Sequence, residues 1–136
     1  VNDTVLTVLA QVAEQLGFLT PTGPGPEPGP GWACVSVAYR GPSNGRVLVA
    51  ASPELAQALA RNLLALDAAA PVAPDDAMDA LRELANVAAG NLLPALLGDG
   101  EYHLDAPEPA VWREGLADTA SIDLAEGLLA AGVEPA

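Results

Sequence analysis

Glu83 and Asn86 stand three residues apart in Asp79-Ala-Leu-Arg-Glu-Leu-Ala-Asn-Val-Ala-Ala-Gly-Asn91, a mostly apolar run with helical periodicity. On a helix that spacing puts a carboxylate and a carboxamide on one face, one turn apart. The carboxylate can pair with a lysine. The carboxamide donates and accepts, so it can hold a water molecule in line with a bond to be cleaved. Asp79, Glu83, Asn86 and Gly90 follow at i, i+4, i+7 and i+11, one stripe opposite Leu81, Ala85, Ala88 and Leu92. Asn and Gly are poor helix formers, and a stripe of carboxylate, amide and bare backbone suits insertion into another molecule's cleft. The tetrad alone is unspecific: nine Glu and five Asn in 136 residues give a Glu-x-x-Asn by chance roughly one time in three. Taken by itself it reads as a solvated helix face.

Other chemistry finds few residues to carry it. His103 is the only histidine and lies in a strand-like segment with no nucleophile elbow. One His and one Cys cannot build an ordinary zinc site. Cys34 sits in a Val/Ala run and reads as a packed core thiol. Asp75, Asp76 and Asp79 lie near a helix start, where capping and the helix dipole explain them more simply than a hard cation does. The segment Pro21-Thr-Gly-Pro-Gly-Pro-Glu-Pro-Gly-Pro-Gly31 has no Gly-Lys-Ser/Thr ending and no basic residue, so it is a surface connector rather than a phosphate loop.

Five basic against 18 acidic residues give a formal charge of −13. Nucleic acid and anionic membrane surfaces require the opposite sign, so neither is an expected partner. No run approaches the ~18 apolar residues that span a bilayer. The N-terminal stretch lacks a basic start and a small-residue cleavage site, so a cytoplasmic location is expected. The length and the 51% hydrophobic content suit a single domain over residues 1–136, with a core of Ala, Val and Leu.

The elements that must position the stripe follow from periodicity. Asn2 or Asp3 caps a first helix to about Leu16, with Val5, Val8, Leu9, Val12 and Leu16 on one face and Gly17 placed to stop it. The connector 21–31 is expected to form neither helix nor ladder. Trp32–Arg40 and Arg46–Ala51 read as a hairpin whose Asn44-Gly45 turn tolerates positive φ. Ser52-Pro53 starts a helix carrying Leu55, Leu59, Leu63 and Leu66. The longest helix follows, its apolar stripe made of Met78, Leu81, Ala85, Ala88, Leu92 and Leu96, with a kink near Gly90 expected from Pro94. Tyr102–Leu104, Ala110–Arg113, Ser121–Leu124 and Leu128–Val133 are strand candidates, although Leu128–Ala131 also fits a helical turn. A sheet with helices packed on it is the economical architecture.

The hairpin, then Ser52-Pro-Glu-Leu-Ala, a helix, an acidic start at Asp75 and Glu83-Leu-Ala-Asn86-Val-Ala-Ala-Gly90-Asn91 together resemble the CheC/CheX/FliY phosphatases, CheX-like domains in particular. The resemblance covers Asn2 to Val111 and is best between Arg46 and Leu97. It implies an α/β (α+β) fold, a mainly antiparallel sheet with two long helices and an N-terminal helix packed on it. It implies dephosphorylation of a CheY-like receiver domain, with Asn86 orienting the attacking water and Glu83 pairing with the receiver's lysine. Asp79, Arg82 and Gly90 would flank them at the partner contact. Magnesium would be held by the receiver, with no cofactor on this chain, and a homodimer is implied. The Pro/Gly connector and Pro94 depart from the family pattern. Two alternatives stand beside this reading: a non-catalytic CheX-like module that binds or scaffolds a receiver, and a structural domain whose polar stripe is buried in a dimer.

Overall fold

The computed structural model describes residues 2–135. Helix α1 (Asp3–Gly17) is followed by strands β1 (Pro21–Pro24), β2 (Ala33–Arg40) and β3 (Gly45–Ala51). Helices α2 (Pro53–Leu63) and α3 (Pro74–Leu97) come next, then β4 (His103–Leu104), β5 (Glu108–Pro109), β6 (Ala117–Leu124) and β7 (Gly127–Pro135). All strand pairs are antiparallel, in the order β1-β6-β7-β3-β2-β4, with β5 also pairing β2. The expected architecture of helices on a mainly antiparallel sheet is what the chain adopts.

The helices share one face of the sheet. Alternate residues Val35, Val37 and Tyr39 of β2, Val47, Val49 and Ala51 of β3, and Leu129, Ala131 and Val133 of β7 point into the same core as Val5, Leu9, Leu55, Leu59, Leu84 and Leu92. The opposite face carries Cys34, Leu48 and Ala50, covered by Trp32, Ala110, Trp112 and Leu116. Two caps tie helices to strands. The Asn2 side-chain Oδ1 accepts from the Val5 N–H at 3.1 Å while its Nδ2 donates to the Asp118 carboxylate at 2.9 Å. The Ser52 hydroxyl accepts from the N–H groups of Leu55 at 3.4 Å and Leu128 at 3.0 Å, and Pro53 takes the first helical position as expected.

Several local expectations are corrected. The connector does form a ladder: Pro21–Pro24 pairs with β6 through a bulge between Pro21 and Gly23. Proline fits there because β1 is the edge strand, where a missing N–H can face away from the sheet. Gly17 belongs to the helix, and Phe18 takes the left-handed cap at φ 53°. Glycine at position 17 leaves room for the Leu59 side chain, whose Cδ1 would stand 2.8 Å from a Cβ there and would have to shift. Neither Asn44 nor Gly45 has positive φ. Instead the Asn44 side chain accepts from the Gly41 N–H at 3.4 Å, and a Cβ on Gly45 would meet the Glu134 carbonyl and the Tyr39 hydroxyl. α2 ends at Leu63; Ala65 turns to φ 55° and Leu66 is left exposed. Ala110–Arg113 is irregular, because Ala110 and Trp112 cross the sheet's second face. Leu128–Ala131 is strand, within β7.

Both sheet edges are blunted, β1 by its prolines and β2 by the two short strands laid over it. Cys34 is a buried core thiol, as expected. Burial raises its pKa from 9.0 to about 11, against a smaller lowering by the Arg113 cation. Between those two values the unfolded chain holds fewer protons on this group than the folded one, so its contribution to stability falls as pH rises through that window. In the native protein iodoacetamide is therefore expected to label Cys34 far more slowly at about pH 8 than in the urea-unfolded chain. Equal labelling rates in the two states would contradict a packed thiol.

Candidate functional site

α3 is the longest helix and runs unbroken from Pro74 to Leu97, through Gly90 and Pro94. Ala80, Leu81, Leu84, Ala85, Ala88, Ala89, Leu92 and Leu93 are buried, a wider face than the expected stripe because alanines let the helix lie close to its neighbours. Met78 and Leu96, at the ends of that stripe, are half-buried. Asp75 and Asp76 occupy the first turn, where the helix dipole favours negative charge.

The polar stripe faces solvent. Asp79, Glu83, Asn86 and Gly90 are all exposed, and neighbours at i, i+3 or i+4 stand about 5–6 Å apart at Cβ. Among the described residues no hydrogen bond or ion pair engages the Glu83 or Asn86 side chain, whereas adjacent polar groups are occupied. Arg82 is half-buried and its guanidinium donates to Asp79 at 2.8 Å. Asn91 turns back on the helix, its amide donating to the Val87 carbonyl at 2.8 Å. A carboxylate and a carboxamide are thus left with their full hydrogen-bonding capacity on a rigid element.

Gly90 is not required by the fold. A Cβ built on it meets nothing within 4 Å, although glycine in a helix interior costs about 1 kcal/mol relative to alanine. Cavities of about 340 and 360 Å³ lie on the far side of the sheet, lined by residues such as Trp112, Arg113 and Ser121 or Trp32 and Cys34. One of about 330 Å³ lies between α1 and β1, and one of about 280 Å³ lies beside the first turns of α3 at Pro74, Ala77 and Met78; neither Glu83 nor Asn86 lines any of these. A projecting helix face cannot enclose a small substrate, so chemistry here has to occur in a cleft that another molecule supplies.

Residues 33–122 match the family model described as the chemotaxis phosphatase CheX. The chain belongs to the CheX family. The match takes in the hairpin, α2, α3 and most of β6. Solved CheX structures share the fold over nearly the whole chain. The chemotaxis protein CheX of Desulfovibrio desulfuricans is 16% identical with a TM-score of 0.74, covering 98% of this chain and 97% of its own. In a CheX–CheY–BeF3–Mg complex from Borrelia burgdorferi the matched chain is 14% identical with a TM-score of 0.67, at 97% and 95% coverage. FliY of Thermotoga maritima is 14% identical with a TM-score of 0.62, at 97% and 84%. A comparison with curated proteins finds no match.

Two positions on the CheX-like helix escaped the sequence reading. Val87 is 37% exposed and Leu97 is 39% exposed, both on the solvent side of α3. Their signal was available: no charged residue occurs between Glu83 and Asp99, and an outward helix face of that length normally carries several.

Proposed function

We propose that this chain accelerates hydrolysis of the phosphoaspartate of a CheY-like receiver domain. The observation that carries the reading is the pair of unengaged, outward side chains, Glu83 and Asn86, on the exposed face of α3 beside bare Gly90. Glu83 pairs with a lysine of the receiver and fixes the helix over the phosphorylation pocket. Asn86 accepts a hydrogen bond from a water molecule and holds its oxygen in line with the phosphorus. That oxygen bonds to phosphorus as the bond from phosphorus to the aspartate oxygen breaks. The products are inorganic phosphate and a free carboxylate, and the water's proton leaves to phosphate or solvent. Magnesium, held by the receiver, offsets the phosphoryl charge. The CheX family match supports the reaction class, and the complex containing CheY supports the partner class.

In this reading all of residues 1–136 form one domain, working in the cytoplasm where receivers are phosphorylated. A homodimer belongs to the proposal; with both sheet edges blunted, its contact falls on a sheet face or on the helices, and sedimentation of the wild-type chain tests it.

The deciding experiment measures phosphate release from phosphorylated CheY-like receivers of the same genome, with and without the protein. Accelerated release from at least one receiver is the expected result. Binding to a beryllofluoride-activated receiver without accelerated release would make the chain a non-catalytic receiver-binding module. Neither binding nor acceleration on any receiver would overturn the reading.

A further inference from the structure

The exposed face of α3 is two different surfaces joined at Glu83 and Asn86. On the N-terminal side it presents Asp75, Asp76 and Asp79, relieved only by Arg82, the one basic residue of the helix. On the C-terminal side Val87, Gly90, Pro94 and Leu97 continue the line from Glu83 at i+4, i+7, i+11 and i+14, all exposed. No charge interrupts that half.

Gly90 and Pro94 bring a second property. They are spaced i, i+4, so the N–H that would return to the Gly90 carbonyl is the one proline lacks. The Gly90 carbonyl is a backbone acceptor without its i+4 helical donor, at an exposed position that carries no side chain of its own. Both residues weaken a helix, both are exposed, and the interior gains nothing from either.

We propose that this C-terminal half is a docking strip for the receiver itself. The receiver's apolar surface bordering its phosphorylation pocket packs on Val87, Gly90, Pro94 and Leu97, and one of its N–H donors meets the Gly90 carbonyl. A basic rim on its other side faces Asp76 and Asp79. This rests on the phosphatase reading, which fixes what lies over Asn86, and it extends that site without a break along one helix. Charge disfavours a second copy of this chain. Antiparallel helices would lay Asp76 and the Asp79–Arg82 pair against the copy's apolar half, desolvating charges that gain no new partner there, and parallel helices would stack like charges on each other.

The strip makes stability and docking move in opposite directions. Gly90→Ala and Pro94→Ala each strengthen the helix, so the melting temperature is expected to rise, by roughly 3–5 °C for Gly90→Ala. In the same variants the KM for the phosphorylated receiver is expected to rise about tenfold, with kcat within about threefold of wild type. Val87→Gln combined with Leu97→Gln, an uncharged change at exposed positions, is expected to raise KM by a similar factor while circular dichroism stays unchanged. The measurements are thermal melts and steady-state phosphate release with a receiver that the wild-type protein dephosphorylates. Variants that melt higher and keep the wild-type KM overturn the strip and leave the phosphatase reading intact. A lower melting temperature for Gly90→Ala would show that the fold requires the glycine, and would overturn it as well. A wild-type protein that releases no phosphate from, and binds, no receiver removes both proposals together.

Discussion

Asn86→Ala is expected to lower the turnover of phosphorylated receiver at saturation by about 10²–10³-fold, with KM within a few-fold of wild type. The size follows from the job assigned to the amide. It adds no charge and transfers no proton; it restricts a water molecule to the approach line, and losing one well-placed polar group of that kind typically costs two to three decades. Folding is not expected to suffer. The side chain is exposed and engages no described group, and alanine is the better helix former, so the melting temperature should hold or rise slightly. Asn86→Asp separates position from chemistry: it keeps the size but exchanges the amide for a second negative charge beside the phosphoryl group, and is expected to fall as far as alanine. Single-turnover phosphate release with receiver bound in excess protein measures the step directly. Release by Asn86→Ala at the wild-type rate would remove Asn86 from the mechanism, however well the receiver bound.

The positions that carry this prediction were legible in the sequence because a helix interior obeys one period. Leu81, Ala85, Ala88 and Leu92 marked the buried side of α3, and the same arithmetic placed Asp79, Glu83, Asn86 and Gly90 outside, where they lie. The errors fell where long-range packing decides. Asn44-Gly45 looked like a positive-φ turn, but the need for glycine comes from the Glu134 carbonyl, nearly ninety positions away. Phe18 adopts the left-handed cap one residue beyond Gly17, whose lack of a side chain leaves room for Leu59 and Leu19. Pro21 and Pro24 form a strand because β6 supplies the ladder from the far end of the chain. Trp112 left its expected strand to cover Leu48 and Cys34. None of these partners is visible in a local window.

What hid the C-terminal half of the docking face was a different matter. Val87 and Leu97 are apolar, and apolar residues on a helix are read as core by default. The buried width of α3 was already supplied by Ala80, Leu84, Ala89 and Leu93, which left Val87 and Leu97 on the outside. Gly90 and Pro94 read as damage to the helix for a similar reason: their cost is local, and what they could gain lies in another molecule. The acidic half is plainer, and it explains how a chain of charge −13 could still select a receiver, provided the receiver's contact rim is basic.

Charge reversal at Glu83 gives the largest expected loss of receiver affinity. In Glu83→Lys the new ammonium would face the receiver's lysine across the contact, so an attractive pair becomes a repulsive one. Removing one partner of a desolvated, hydrogen-bonded charge pair costs about 2–5 kcal/mol, mostly from the charge left alone. Reversal is at least as costly, so KM should rise by about 10²-fold or more. Glu83→Gln keeps the shape and one acceptor oxygen and should rise less, by about tenfold. Asp123→Asn is the internal comparison, because that carboxylate is exposed on β6 and not on α3. Its effect should stay within about threefold. Salt distinguishes the roles further: raising ionic strength should weaken wild-type binding, and weaken Glu83→Gln less steeply, as one fewer charge contact remains to be screened. Isothermal titration with a beryllofluoride-activated receiver reads these affinities without turnover. Equal affinity for Glu83→Lys and wild type would mean that Glu83 does not meet the receiver's lysine, and the orientation of α3 over the phosphorylation pocket would have to be drawn differently, with Asn86 judged on its own rate data.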